Sequence, residues 1–256
     1  MLEALYAGSL EDAAQREQHV KAHELERRID SLQKPVDAIK AFAPRSQIHV
    51  LAEIKRASPS KGDLAAIRNP SDLAKRYQDG GATGMSVLTE ERKFKGSLKD
   101  LADVRGVTNL PILRKDFIAN EYQLLEARAF GADIALLIVA GLDQSTLSRL
   151  MKFTVELGMT PFIETHDQIE LERALELEAK FVGVNARDLS TFETDRDLFS
   201  KLVHIFPPDV IKVAESAVRN ASDVRHYRES GADVVLVGEA LVTNDPVASL
   251  QSFLEV

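Results

Sequence analysis

Cysteine is absent from the 256 residues. That excludes a disulfide framework and any thiolate-bound metal, and it fits a reducing cytoplasm. Also missing is any apolar run approaching the roughly 20 residues of a membrane helix. The opening stretch MLEALYAGSLEDAAQREQHV is charged from the start, without the basic-then-apolar order of a secretory leader, so none is expected. There is no excess of positive charge: 40 acidic against 32 basic residues give a net charge of −8. Nucleic acid and acidic membranes are therefore not the expected partners, although a local basic pocket remains able to hold an anion. The six histidines show no metal-like pairing, so no metal is expected. No GxGxxG follows the first apolar run, which weighs against a dinucleotide site of the Rossmann type.

What is present is a repeat of two textures. Eight short apolar, β-branched-rich runs recur at intervals of roughly 25 residues: 49–55, 85–89, 111–116, 134–139, 160–165, 181–186, 210–216 and 234–239. Several are continuously apolar, as buried parallel strands are. Between them lie charged segments with helical spacing, such as 71–80, 97–106, 144–158 and 195–206, several opening on Ser, Asp or Asn and closing on Gly. Gly81-Ala82-Thr83, Gly131-Ala132-Asp133 and Gly231-Ala232-Asp233 each precede a strand, a small internal repeat. Eight such units predict one closed (β/α)8 TIM barrel over 48–256 rather than an open sheet. Residues 1–47 read as an N-terminal helical extension of the same domain. Two readings of it stand open: a surface piece plugging one end of the barrel, or a cover over its mouth.

Active sites of such barrels form at the strand C-termini. The polar residues expected there are Glu53 and Lys55, then Ser58 to Gly62; Arg114, Lys115 and Asp116; Glu164; Asn185 and Arg187; Glu215 and Ser216; Gly238 and Glu239. Glu53 and Lys55 are two apart and share a face of their strand. Buried Lys and Glu from separate strands satisfy one another and stand ready for proton transfer. The loops after the seventh and eighth strands, Glu215-Ser216-Ala217-Val218 and Val237-Gly238-Glu239-Ala240, have the small residues that let backbone N–H groups approach a phosphate, with a hydroxyl at Ser216. His166 is read as orienting a loop. Phe94, Phe117 and Phe192 fit either ordinary packing or a slot for an aromatic ring.

Together these segments resemble the indole-3-glycerol phosphate synthase family. The specific stretches are VLAEIKRASPSKG (50–62) and LRKDFIANEYQLLEARAFGAD (113–133), supported by 86–101, 182–195 and 232–242. The resemblance implies a cytoplasmic carboxy-lyase of tryptophan biosynthesis. Its substrate would be 1-(2-carboxyphenylamino)-1-deoxyribulose 5-phosphate, its products indole-3-glycerol phosphate, carbon dioxide and water, and it would use no cofactor or metal. It implies Lys115 as general acid, Glu164 as base, and Lys55 as partner acid or electrostatic anchor. Glu53 and Asn185 would hold the lysines and the substrate hydroxyls, with Glu215 assisting. Arg187 would take the ring carboxylate, aided by Ser58. Pro59, Phe94, Phe117 and Leu189 would sandwich the ring, and Ser216, Ala217, Gly238 and Glu239 would hold the phosphate. A monomer and a homodimer both fit, as does association with other enzymes of the pathway.

The chain departs from the family pattern twice. Ala217 stands where the family has glycine after Glu-Ser, and a positive φ there strains alanine by roughly 1 kcal/mol or more. Thr165 stands between Glu164 and His166 where the family has valine, with its side chain expected to point away from Glu164. The alternatives are fewer. A phosphoribosylanthranilate isomerase would use a Cys/Asp pair, and this chain has no cysteine. A Schiff-base aldolase and a non-catalytic phosphate-binding barrel are the others.

Overall fold

The computed structural model describes residues 2–188 and 193–256. Three helices come first: α1 (Leu2–His19), α2 (Ala22–Asp30) and α3 (Ala38–Ala41). Strands and helices then alternate: β1 (His49–Ile54), α4 (Pro70–Asp79), β2 (Gly84–Leu88), α5 (Leu98–Arg105), β3 (Ile112–Lys115), α6 (Glu121–Ala129), β4 (Ile134–Ile138), α7 (Gln144–Glu156), β5 (Thr160–Thr165), α8 (Gln168–Glu176), β6 (Phe181–Asn185), α9 (Leu198–Leu202), β7 (Ile211–Glu215), α10 (Ala221–Glu229), β8 (Val234–Val237), α11 (Glu239–Thr243) and α12 (Pro246–Leu254). Each of the eight apolar runs is a strand. All are parallel, and β8 returns to β1 to close the barrel. A small ribbon, Ala57–Ser58 against Gly62–Asp63, stiffens the loop after β1.

Local chemistry accounts for the boundaries. Ser97, Asn120, Asp143, Asp167, Asn220 and Asp245 each accept a backbone N–H of the helix they open, satisfying donors that lack an intrahelical partner. The repeated glycines 81, 131 and 231 sit at φ of 92°, 96° and 99°, the left-handed turn that reverses a helix into the next strand. One element is shorter than its spacing predicts. The helix expected over 195–206 is α9 alone, tightening into a 3-10 turn at Val203–Ile205, because Pro207 and Pro208 cannot continue it.

The register fixes what meets inside. Stepping between hydrogen-bonded partners from Glu53 runs through Ser86, Leu113, Ile134 and Thr160. Continued at the offsets of β5 to β8, the path re-enters the first strand eight residues before its start, the shear of eight characteristic of this barrel. The stagger is one residue per strand, so alternate strands fill each interior layer. Glu53 of β1, Lys115 of β3, Glu164 of β5 and Glu215 of β7 fall in a single layer. Leu88, Ile138, Asn185 and Gly238 of the even-numbered strands form the layer above. Lys55, Phe117, His166 and Ala217, two residues beyond the charged four, stand at the rim.

The N-terminal extension satisfies both readings. At the strand C-termini, the Tyr6 hydroxyl donates to the Ile138 carbonyl at 3.4 Å and Ser9 Oγ donates to Asp116 Oδ1 at 3.1 Å, so α1 covers the mouth. Then α2 descends along α6, burying Leu25 with Tyr122 and Leu125. At the far end Val36 N–H donates to Asp133 at 2.7 Å, and Phe42, with no exposed surface, stacks on Phe181 with centroids 5.3 Å apart. A Cβ on Gly84 would lie 2.6 Å from the Phe42 ring. Phe42 is therefore the plug of the barrel floor. Phe42→Ala is expected to cost about 3–5 kcal/mol through lost burial and a residual cavity, measured by denaturant unfolding, with the barrel's far-UV signal retained before the transition.

Candidate functional site

The layer of four is a charge cluster because β3 presents its residues alternately. Arg114 points outward and is fully buried beneath α6, donating to Thr89, the Gln123 carbonyl and Asp116. Lys115 points inward. Its Nζ donates to Glu164 Oε2 at 2.6 Å and lies 3.6 Å from Glu215 Oε2. Glu53 Oε1 lies 2.6 Å from Lys55 Nζ above it. Asn185 Nδ2 donates to Glu164 Oε1 at 2.9 Å, and its Oδ1 accepts from Ser216 Oγ at 2.7 Å and the Arg187 N–H at 3.0 Å. Two glycines make room for the carboxylates: a Cβ on Gly183 would stand 2.4 Å from Glu215 Oε1, and one on Gly238 2.3 Å from Glu53 Oε1.

Burial opposes the charge of Lys115, yet Glu164, Glu215 and Glu53 outweigh it and raise its pKa above the ordinary lysine value. Glu164 is likewise opposed by burial, but Lys115 and His166 drive its pKa far down. Glu215 behaves oppositely. Burial and the facing Glu164 charge push it up to about 8, against the pull of Lys115. Two carboxyls share one ammonium, and burial beside the facing Glu164 charge favours protonation at Glu215. Its Oε1 is buried beside Gly183 with no hydrogen-bond partner among the described residues.

A cavity of about 570 Å³ lies over the charged layer. It brings together Glu53, Lys55, Ser58, Pro59, Phe94, Lys115, Phe117, Glu164, Asn185, Arg187, Glu215, Ser216, Ala217, Gly238 and Glu239. Leu189 and Phe192 lie outside the described residues. The rings of Phe94 and Phe117 are tilted at 6.1 Å, forming one apolar wall.

Three contacts add detail to these positions. Ser216 gives its hydroxyl hydrogen to Asn185, beside the backbone N–H groups of that loop. Glu239 brings a carboxylate to the cradle, and Lys61 Nζ pairs with it at 2.5 Å, neutralising a charge that would repel phosphate. His166 does more than orient a loop: its Nε2 lies 3.3 Å from Glu164 Oε1. Sequence reasoning missed Leu5 of α1, which lines the cavity together with Lys61, and the reach of His166 to Glu164. The shared parity of 164 and 166 was the one available signal for the histidine. Thr165, as expected, turns from Glu164 and donates to the Gly183 carbonyl.

Ser216 and Ala217 adopt φ of 68° and 58°, two successive left-handed residues without glycine. Ala217→Gly is therefore expected to raise stability by about 0.5–1 kcal/mol, strain relief outweighing the added freedom of the unfolded chain; denaturant midpoints measure it. A second expectation follows from Glu215. An unfolded glutamate ionises near 4.5 while the folded one holds its proton to about 8, so folding is penalised increasingly between those values. Glu215→Gln should raise the thermal midpoint over wild type by a margin that grows from pH 5 to 8 and then levels. A margin constant with pH would contradict the assignment.

The sequence model of the indole-3-glycerol phosphate synthase family matches residues 2–253. A protein named indole-3-glycerol phosphate synthase from Leifsonia xyli subsp. xyli is 57% identical over 253 residues, covering 99% of this chain and 97% of its own. One of the same name from Mycobacterium sp. (strain KMS) is 49% identical over 247 residues, covering 96% and 90%. Among solved structures, the N-acetylmannosamine-6-phosphate 2-epimerase from Clostridium perfringens superposes with a TM-score of 0.63 at 14% identity, over 83% of this chain and 93% of that one, a likeness of fold alone.

Proposed function

The chain belongs to the indole-3-glycerol phosphate synthase family, the carboxy-lyases of tryptophan biosynthesis, and on that premise we propose that its charged layer closes the indole ring by Lys/Glu acid–base catalysis. The substrate is 1-(2-carboxyphenylamino)-1-deoxyribulose 5-phosphate, and the reaction is cytoplasmic. The observation that carries the reading is Lys115 held 2.6 Å from Glu164 on the floor of the cavity.

The ring carbon bearing the carboxylate attacks the carbonyl of the sugar chain. Negative charge grows on the carbonyl oxygen, and the Lys115 ammonium, held protonated by its carboxylate neighbours, gives it a proton. The alkoxide formed is the stronger base, so the transfer runs downhill despite the raised lysine pKa. The carboxylate carbon then departs as carbon dioxide and its bonding electrons return to the ring. Last, the new hydroxyl leaves as water with a proton from an ammonium, and Glu164 takes the ring proton. Lys55, paired with Glu53 beneath Gly238, stands on the phosphate side and serves as partner acid and anchor. Arg187 binds the ring carboxylate through its planar fork, with Ser58 beside it, and Pro59, Phe94, Phe117 and Leu189 hold the ring. The N–H groups around Ser216, Ala217, Gly238 and Glu239 hold the phosphate. A protonated Glu215 lowers the negative charge that an anionic substrate meets.

A Schiff-base role needs a neutral amine, made by a lowered lysine pKa; the upward shift at Lys115 works against it. The test is indole fluorescence on adding substrate. Lys115→Ala should reduce kcat by about 10²–10⁴-fold with the fold intact. A rate within a few-fold of wild type would remove Lys115 as the acid.

A further inference from the structure

His166 is half-buried at the edge of the charged layer, yet the acid–base scheme does not use it. Its ring is fixed from outside. Nδ1 lies 3.0 Å from Glu170 Oε2, and the same oxygen accepts the His166 backbone N–H at 2.8 Å. Glu170 belongs to the first turn of α8 and is itself held by the helix cap, its N–H donating to Asp167. The clamp turns Nε2 inward, where it stands 3.3 Å from Glu164 Oε1, off the line of a hydrogen bond and without one among the described residues. A row of alternating charge results: Lys115, Glu164, His166, Glu170.

We propose that His166, clamped by Glu170, is a positioning residue that decides which of the two facing carboxyls carries their shared proton, holding Glu164 ionised as the base and leaving the proton to Glu215. The physics is a difference of surroundings. Glu164 faces Lys115 from β3, Glu215 from β7, His166 from its own strand end and the Tyr6 phenol from α1. Glu215 faces Lys115 at the longer distance of 3.6 Å. Without a second cation beside Glu164, two carboxyls around one ammonium would divide the proton more evenly, and the base would spend part of its time neutral. Burial disfavours an imidazolium, but the carboxylates of Glu164 and Glu170 overcome it and raise the His166 pKa to about 10, so the charge is present at neutral pH.

The proposal rests on Glu164 being the base, and its test separates the two. Linkage is reciprocal: if His166 lowers the Glu164 pKa, Glu164 raises that of His166 equally. The probe is the 15N titration of the His166 imidazole. In wild type it should stay doubly protonated beyond pH 8, and in Glu164→Gln its midpoint should fall by at least about one unit, as for loss of an opposite charge at ion-pair distance. In kinetics, His166→Gln should lower kcat/KM at pH 7 by about tenfold and move the acid limb of its pH profile upward, with KM changed less than kcat. Glu170→Gln, which keeps the ring, should do the same to a smaller extent and carries the kinetic test if His166→Gln does not fold. An imidazole titrating near 6.5 in wild type, equal midpoints with and without Glu164, or unmoved profiles in the folded variants would overturn the proposal. Glu164→Gln retaining wild-type turnover would instead overturn the choice of base, whatever His166 does.

Discussion

Lys115 sits in a place that is hostile to a lone charge and hospitable to a shared one. Its ammonium is withdrawn from water, a cost that an isolated cation does not survive. Glu164, Glu215 and Glu53 surround it because the shear of the barrel puts four odd-numbered strands level at one height. The geometry is a consequence of backbone pairing, set far from the mouth by apolar residues such as Leu51, Leu113, Phe162 and Val213, buried two positions below. A one-residue slip in any of those strands would turn its charged side chain out towards the helices. The packed lower barrel is therefore what holds the reactive groups in register, and Phe42 closes its floor.

Around that layer the protein repeats one device, a second group that fixes the state of the first. Gly183 and Gly238 leave the volume that Glu215 and Glu53 fill. Asn185 ties Glu164 to the Ser216 loop. Lys61 cancels the carboxylate that Glu239 brings to the anion cradle, and Glu170 turns His166 inward. The N-terminal extension joins in through Ser9 and Asp116, and through Arg16 on Glu126, beside the buried Arg114. The helix over the mouth is thus tied to the strand that carries Lys115.

The barrel was legible in the sequence because its signals are local. Eight apolar runs, helix caps and the repeated glycines before strands each report a backbone preference within a few residues. The site was legible in outline, since Glu53, Lys55, Lys115, Glu164, Asn185 and Glu215 lie at strand ends and all line one cavity. The state of those groups was not legible. The upward shift of the Glu215 pKa comes from burial and the facing Glu164 charge, a relation across the barrel between residues 51 positions apart. The engagement of the Ser216 hydroxyl by Asn185 and the Lys61–Glu239 pair are likewise relations between segments far apart in the chain, invisible to spacing, whereas the inward turn of His166 left a trace in its parity with Glu164. Ala217 lies between these cases: residue type exposed the question, and only the φ of 58° answered it.

The claim on which the chemistry turns is that Glu164 is ionised and Glu215 protonated beside an ionised Lys115 at working pH. Infrared spectroscopy of the carboxyl C=O stretch reads this directly. At pH 7 a protonated-carboxyl band is expected that vanishes in Glu215→Gln, persists in Glu53→Gln and fades as pH rises past about 8. A spectrum at pH 7 with no protonated carboxyl, or a band that survives Glu215→Gln unchanged, would contradict it.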